Sequence, residues 1–232
     1  MKSHPKIFEL PHLHNREGIF RDRAAAGKVL AQMLKEYQRS NATVMAIPAG
    51  GVAVAASLAR ELALPLDVAV ISKITPSWNS EVGYGAVAFD GMVRLNEDYL
   101  ARFNLGKEEI QKGIQKTKQK VARRVKMFRG NRPLPDFNQR ILLVDDGLAS
   151  GFTLRVAIEA LRKAGGQQII LAVPTAHEES IQRVINEVDA IYCPNIRGGL
   201  SYAVADAYEE WRDLDEEEVM QILKEFKLQK RT

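Results

Sequence analysis

One stretch of thirteen residues constrains this chain more than any other: Ile141-Leu142-Leu143-Val144-Asp145-Asp146-Gly147-Leu148-Ala149-Ser150-Gly151-Phe152-Thr153. Four consecutive apolar residues without alternation read as a strand covered on both faces, the pattern of a parallel sheet. The strand ends in two adjacent carboxylates, passes through a loop of small residues and enters a helix. Such a unit belongs to an open α/β sheet, where ligands bind at the carboxyl ends of the strands. Gly147, Ala149, Ser150 and Gly151 let the backbone approach a ligand. The amides of the loop and of the helix start carry partial positive charge, which suits a phosphate. Ser150 and Thr153 add hydroxyl donors. Asp145 and Asp146 beside this cradle suit sugar hydroxyls, or a Mg²⁺ ion carrying other phosphates. The plainer reading is a strand-to-helix turn with an Asp cap and glycines for geometry.

The rest of the chain fits the same architecture. Phe20–Arg39 has apolar residues at helical spacing, and Thr43–Ile47 is a short buried strand. Pro48-Ala49-Gly50-Gly51 breaks that strand before an Ala-rich helix, Val52–Leu62, and Leu66–Ser72 reads as the next strand. Thr75–Gly85 is irregular. Ala86–Phe89 and Met92–Leu95 flank Asp90-Gly91, a hairpin signal. Asn96 caps a helix to Phe103, and a basic helix, Lys107–Phe128, ends at Arg129-Gly130-Asn131-Arg132-Pro133. After Ile141–Val144 come the helix Thr153–Ala164, the strand Ile169–Val173, the helix Glu178–Val188, the strand Ala190–Cys193 and an acidic amphipathic helix, Glu216–Leu228. The fold expected is α/β: a parallel core with helices on both faces and a hairpin-plus-helix insertion at about 86–138. At roughly 100–200 residues per domain, residues 1–232 form a single domain.

Composition removes several function classes. A chain with 46% apolar and 27% charged residues is not disordered. The single cysteine, Cys193, excludes an intrachain disulfide framework and a Cys-based zinc site. No apolar run reaches the roughly 18 residues of a membrane span, and the first residues lack the apolar core of a signal peptide; a cytoplasmic protein is expected. The net charge of +4 is too small to demand nucleic acid, which is therefore an unexpected partner. The charge is unevenly spread, however: +9 between Arg102 and Arg132, and −7 between Asp206 and Glu218. These are either two solvated faces that attract each other or a basic wall over an anionic ligand. There is no G-x-x-x-x-G-K-[ST] loop and no G-x-G-x-x-G after the first strand. His12 and His14 have no third metal ligand in view. His177 follows a strand near the site. Tyr202, Tyr208 and Trp211 are either core residues or, at Tyr202, a platform for a nucleobase. Arg129 and Arg132 either reach anions or solvate a turn.

The stretch 141–153 resembles the phosphoribosyl-pyrophosphate (PRPP) motif of type I phosphoribosyltransferases: four apolar residues, two acids, a small-residue loop, then Ser-Gly-Phe-Thr. Over most of its length the chain resembles a bacterial and archaeal branch of that family. It shares Phe20-Arg21-Asp22-Arg23, Pro48–Gly51, Lys73, Arg129–Pro133, Cys193-Pro194 and Ala203-Val204 to Trp211. The resemblance implies a type I phosphoribosyltransferase fold with a hood built from the chain termini, and the following roles. Asp145 and Asp146 would hold the ribose hydroxyls and, directly or through ribose and water, a Mg²⁺ ion. Gly147, Leu148, Ala149, Ser150, Gly151, Phe152 and Thr153 would cradle the 5-phosphate. Ala49, Gly50 and Gly51 would bind pyrophosphate through N–H groups, aimed by a cis non-proline peptide within Pro48–Gly51. Lys73 would neutralise pyrophosphate charge, and residues 74–85 would close over the reacting carbon. A homodimer is also implied. The branch usually has Arg where this chain has Ala49, and Arg where it has Ser72; both changes remove positive charge near the expected pyrophosphate.

The activity implied is Mg²⁺-dependent transfer of phosphoribosyl from PRPP to a base or amine, in nucleotide metabolism, with release of pyrophosphate. The rival is a PRPP-sensing regulator whose basic helix contacts nucleic acid. A phosphate receiver built on Asp145-Asp146 is the weakest alternative, since receivers place their acids early in the chain.

Overall fold

The structure is a computed structural model that describes residues 6–79, 82–103 and 105–229. Its centre is a six-stranded, wholly parallel sheet. The strands are β1 (Lys6–Glu9), β2 (Thr43–Ala46), β3 (Leu66–Val68), β7 (Arg140–Val144), β8 (Gln168–Ala172) and β10 (Ala190–Cys193), in spatial order β1-β10-β8-β7-β2-β3. Strand alternation divides its apolar residues between two cores. Val44, Ala46, Leu142, Val144 and Ile170 face the helices α1 (Arg23–Met33), α2 (Gly50–Leu62) and α7 (Glu216–Gln229). Met45, Ile141, Leu143, Ile169 and Leu171 face α5 (Phe152–Lys163) and α6 (Glu178–Val184). Burial on both faces is the reason these strands lack alternation in sequence. The fold class expected from sequence is the one observed.

Leu66–Ser72, read as one strand, is two. The chain leaves the main sheet after Val68, and β4 (Ile71–Ile74) starts a separate antiparallel sheet with β5 (Gly85–Ala88) and β6 (Val93–Leu95). No Gly or Pro marks the switch; Ala69 and Val70 are fully buried and make the bend inside the core. The β5–β6 turn is the expected hairpin, with Gly91 at φ +83°. One face of this small sheet carries Ile74 and Val87 onto α4 (Lys107–Arg129); the other carries Ile71, Ala86 and Ala88 onto α5. The remaining helix, α3 (Glu97–Phe103), joins β6 to α4. The helix expected over Phe20–Arg39 is shorter, beginning at Arg23 behind the cap of Asp22, whose carboxylate accepts the Ala25 N–H at 2.7 Å.

Two further strands, β9 (Thr175–His177) and β11 (Asn195–Arg197), pair in parallel above the carboxyl edge of the main sheet. The early segment 15–21 is laced to the late segment 195–210 by backbone bonds, among them Gly18 N–H to Asp206 O (2.7 Å), Phe20 N–H to Ala207 O (3.0 Å) and Glu209 N–H to Phe20 O (2.8 Å). Residues from both ends of the chain thus stand together over the ends of β2 and β7. No helix among the described residues is long and apolar enough to cross a membrane.

Candidate active site

The strand β7 delivers Asp145 and Asp146 to the carboxyl edge of the sheet. β2 lies beside it in register, Ala46 against Val144, and Ile47 N–H donates to Val144 O at 2.8 Å. The loop after β2 is therefore forced against the loop after β7. The Pro48–Ala49 peptide is cis. Gly50 and Gly51, which start α2, are required by contact. A Cβ on Gly50 would lie 1.8 Å from Asp146 Oδ2, and one on Gly51 would lie 2.9 Å from Asp145 Cα and from Val144 O. No side chain caps α2, and the N–H groups of Gly50 and Gly51 meet no acceptor among the described residues.

The loop 147–151 is tied down through its carbonyls. Leu148 is buried and exchanges bonds with β9: its N–H goes to Thr175 O (2.9 Å), and its carbonyl accepts the His177 N–H (3.0 Å). The Ser180 hydroxyl donates to Ala149 O, and Arg183 reaches Ser150 O at 3.4 Å. With these carbonyls held, the N–H groups of Ala149, Ser150, Gly151 and Thr153 have no acceptor among the described residues. Gly151 adopts φ +78°, a left-handed turn suited to glycine, and hands the chain to α5, where the Phe152 N–H donates to Ser150 Oγ at 3.4 Å. Concave runs of N–H groups at a helix start form an anion site. A Cβ on Gly147 would meet Val204 at 2.4 Å, so the late segment closes directly over the loop.

The two acids differ in environment. Asp145 Oδ1 accepts the Asp146 N–H at 2.9 Å. Burial pushes the Asp145 carboxyl well above the usual carboxylate range, and the charge of Asp146 pushes the same way. Asp146 Oδ2 accepts Arg23 Nε at 2.8 Å. The Asp146 carbonyl accepts the Tyr208 hydroxyl at 2.6 Å, and burial raises that hydroxyl's pKa. Arg23 also donates through Nη1 to Arg212 O (2.8 Å) and lies over the Trp211 ring at 3.9 Å. Sequence reading missed Arg23. It stands in the shared Phe-Arg-Asp-Arg run, but its partner is far away in the chain and no local signal announces the pair.

Other residues singled out from sequence fall into place. Lys73 is exposed on β4 and shares the α5-facing side of the hairpin with Ile71; a Cβ on Gly83 would lie 3.3 Å from its stem. Of residues 74–85, Ser80 and Glu81 lie outside the described residues. Ser72 is buried, with Arg124 Nη1 3.5 Å from its hydroxyl. Arg129 makes a buried bidentate pair with Asp67, both bonds 3.0 Å, and Arg132 reaches the same acid, so both brace a turn. The two charged segments do meet: Arg123 pairs with Glu216 at 2.6 and 2.8 Å, and Arg124 approaches it at 3.3 Å. His14 lies 3.7 Å from Glu9. His177 Nε2 is 3.0 Å from Gly199 O and edges the Tyr202 ring, and the Tyr202 hydroxyl is 3.3 Å from Thr175 Oγ1. Burial pushes the Cys193 thiol well up, away from reactivity. A groove of about 1400 Å³ between α4 and α7 is lined by Arg129 and Arg132 but by none of the residues expected to hold PRPP.

Two arcs of N–H groups without acceptors among the described residues thus flank a pair of aspartates at the carboxyl edge of a parallel sheet. The chain matches the phosphoribosyl transferase domain family over residues 18–206. It is 32% identical over 206 residues to a Mycobacterium tuberculosis H37Rv protein named "Putative phosphoribosyl transferase", and equally so to its counterpart in strain CDC 1551. The match covers 88% of this chain and 46% of each relative, so the chain spans about half the length of the curated relatives it matches. Among solved structures it is similar to the protein TT1426 from Thermus thermophilus, with a TM-score of 0.69 and 28% identity over 89% of this chain and 98% of that one. The chain belongs to the type I phosphoribosyltransferase family.

Proposed function

We propose that this protein is a cytoplasmic phosphoribosyltransferase. It binds PRPP and transfers the phosphoribosyl group to a small-molecule acceptor, a base or an amine, with release of pyrophosphate. The observation that carries the reading is the direct seating of Gly50 and Gly51 on Asp146 and Asp145. It sets two arcs of unpaired N–H groups on either side of a carboxylate pair. Asp145 and Asp146 hold the ribose hydroxyls. The unpaired amides within 147–153 and the hydroxyls of Ser150 and Thr153 take the 5-phosphate, and the amides of 49–51, with Lys73, take the pyrophosphate. One acid is paired with Arg23 and the other accepts a backbone N–H. The chain therefore offers Mg²⁺ one or two carboxylates at most, which fits a hard cation held largely by substrate oxygens. Bound there, the ion would screen the charge of the leaving group.

No covalent nucleophile is needed. The anomeric carbon loses pyrophosphate through a cation-like transition state while the acceptor attacks. The chain contributes alignment through its two cradles and stabilisation of the leaving anion by oriented dipoles.

PRPP with Mg²⁺ should raise the Tm by mass action. Asp145→Asn combined with Asp146→Asn should abolish most of the shift, with circular dichroism unchanged. A full shift in the double variant would remove both acids from the site and the reading with them.

A further inference from the structure

The loop assigned to pyrophosphate, Pro48-Ala49-Gly50-Gly51, has no cationic side chain. The structure brings one to it from another element. Arg23 opens α1, and the Asp22 cap fixes where that helix begins. Its side chain runs back across the loop: a Cβ on Gly50 would lie 2.9 Å from Arg23 Nε, so the guanidinium rests on the backbone of that loop. The group is held on three sides. Nε bonds Asp146 Oδ2 and Nη1 bonds Arg212 O, each at 2.8 Å, while the Trp211 ring lies 3.9 Å from the guanidinium carbon. Nη2 makes no hydrogen bond with a described residue. Arg23 is 8% exposed, so its charge is only weakly screened by solvent.

A mere partner for Asp146 would need one edge of the guanidinium. Here two nitrogens and one ring face are committed, the third makes no hydrogen bond with a described residue, and the guanidinium lies through Nε against Gly50, whose N–H has no acceptor among the described residues. A fixed, planar cation with a spare donor is what a departing multiply charged anion requires, because no reorganisation is left to make when the charge develops. We propose that Arg23 is a substrate-contacting residue. It donates through Nη2 to the pyrophosphate group and supplies the positive charge that Ala49 cannot. The same guanidinium touches Asp146, so it links the pyrophosphate and ribose halves of the site. This assignment rests on the PRPP reading above.

The test uses inorganic pyrophosphate with Mg²⁺ and, separately, ribose 5-phosphate, titrated calorimetrically into the wild-type chain, Arg23→Gln and Arg23→Lys. Arg23→Gln should weaken pyrophosphate about tenfold or more, the usual worth of a charged hydrogen bond, and ribose 5-phosphate by a clearly smaller factor. Arg23→Lys, which keeps the charge but not the planar fork, should recover only part of the pyrophosphate affinity. Equal losses for the two ligands in Arg23→Gln, or an unchanged pyrophosphate affinity, would overturn the proposal and leave Arg23 as a support for Asp146 alone. Should Arg23→Gln fail to fold, a Trp78→Phe chain decides the matter, since Trp211 is then the only indole among the two tryptophans. Pyrophosphate should shift its emission through the stacked guanidinium, and binding without any shift would overturn the contact. A wild-type chain that binds ribose 5-phosphate but not pyrophosphate overturns this proposal alone; one that binds neither overturns the PRPP reading as well.

Discussion

Gly50→Ala is the sharpest perturbation the structure offers, because it adds one methyl group and removes no charge. The added carbon would sit 1.8 Å from Asp146 Oδ2, 2.5 Å from Asp146 Cγ and 2.9 Å from Arg23 Nε. Real Cβ contacts begin above 3.0 Å, so the carboxylate must retreat by more than an ångström or the loop must lift. Either motion parts Asp146 from Arg23, a pair whose side chains are 16% and 9% exposed. Overpacking of this kind costs about 1–3 kcal/mol, and a chain of this size loses about 2–4 °C of Tm per kcal/mol. The expected fall is therefore about 2–12 °C. The same displacement moves one of the two acids assigned to ribose, so the Tm shift given by PRPP with Mg²⁺ should shrink by more than half. Gly106→Ala is the control: nothing lies within 4 Å of a Cβ there, and its Tm should fall by only about 1–4 °C, since Gly is preferred to Ala at a helix N-cap by about 0.5–1 kcal/mol, while the PRPP-induced shift should be unchanged. A Gly50→Ala chain that melts and binds like the wild type would refute the claim that the two loops are locked by contact.

The remaining predictions follow from the same geometry. Ser150→Ala and Thr153→Ala should each weaken binding of a 5-phosphate by about 1–3 kcal/mol, the worth of a hydrogen bond to a charged partner, read by calorimetry with ribose 5-phosphate; no change in either would empty the cradle of its hydroxyl donors. The Arg123 guanidinium holds the Glu216 carboxyl below the usual range. A lowered folded-state pKa means that the α4–α7 clamp contributes above the unfolded value of about 4.3 and is lost as pH falls through the lower one. The pair is partly exposed, so the advantage of wild type over Glu216→Gln should be only about 0.2–1 kcal/mol at pH 7. In urea melts it should shrink as pH falls below about 4, and an advantage that grows on acidification would reverse the sign argued here. Finally, Ala149 is exposed and its side chain brings neither acceptor nor charge to its loop, where Asp145 and Asp146 are the only acids. Guanine and hypoxanthine, which the 6-oxopurine enzymes of the resembled family handle with an aspartate at that place, should give no nucleotide with PRPP above background; robust turnover of either would show that a carboxylate from another loop does the work.

The main sheet was legible because each of its central strands is buried on both faces, which prints a continuous apolar run. The acid pair and its loop were legible for a related reason: the whole unit is local, with strand, carboxylates, turn and helix start in thirteen residues. What was not legible depends on partners far off in the chain. The edge strand β1 has one half-buried residue among exposed ones, and its pairing with β10 leaves no pattern; Phe8 stacked on Tyr192 at 4.4 Å holds it there. The strands β9 and β11 are three residues each, too short for any period to show. The break between β3 and β4 is made by Ala69 and Val70, residues that ordinarily continue a strand. Arg129 could have faced a ligand or a turn by its sequence, and only the arrival of Asp67 beneath it decides for the turn.

The glycines of the site explain why its loops could be found while its arginine could not. Gly50, Gly51 and Gly147 do not adopt the left-handed conformations that usually call for glycine. They are small because Asp146, Asp145 and Val204 come within 3 Å of where a side chain would begin. A close approach of this kind has to be met by the residue at the contact itself, so it is written in the sequence of the loop. The positive charge at the same place obeys no such restriction. A guanidinium on a long stem can reach the loop from any element whose start is fixed nearby, and here the start of α1 is fixed by Asp22. Ala49 therefore takes a cation away from the loop without taking it away from the site. Whether a chain of this family has a charged pyrophosphate cradle has to be judged from what packs against the glycines, since the residue between Pro48 and Gly50 does not decide it.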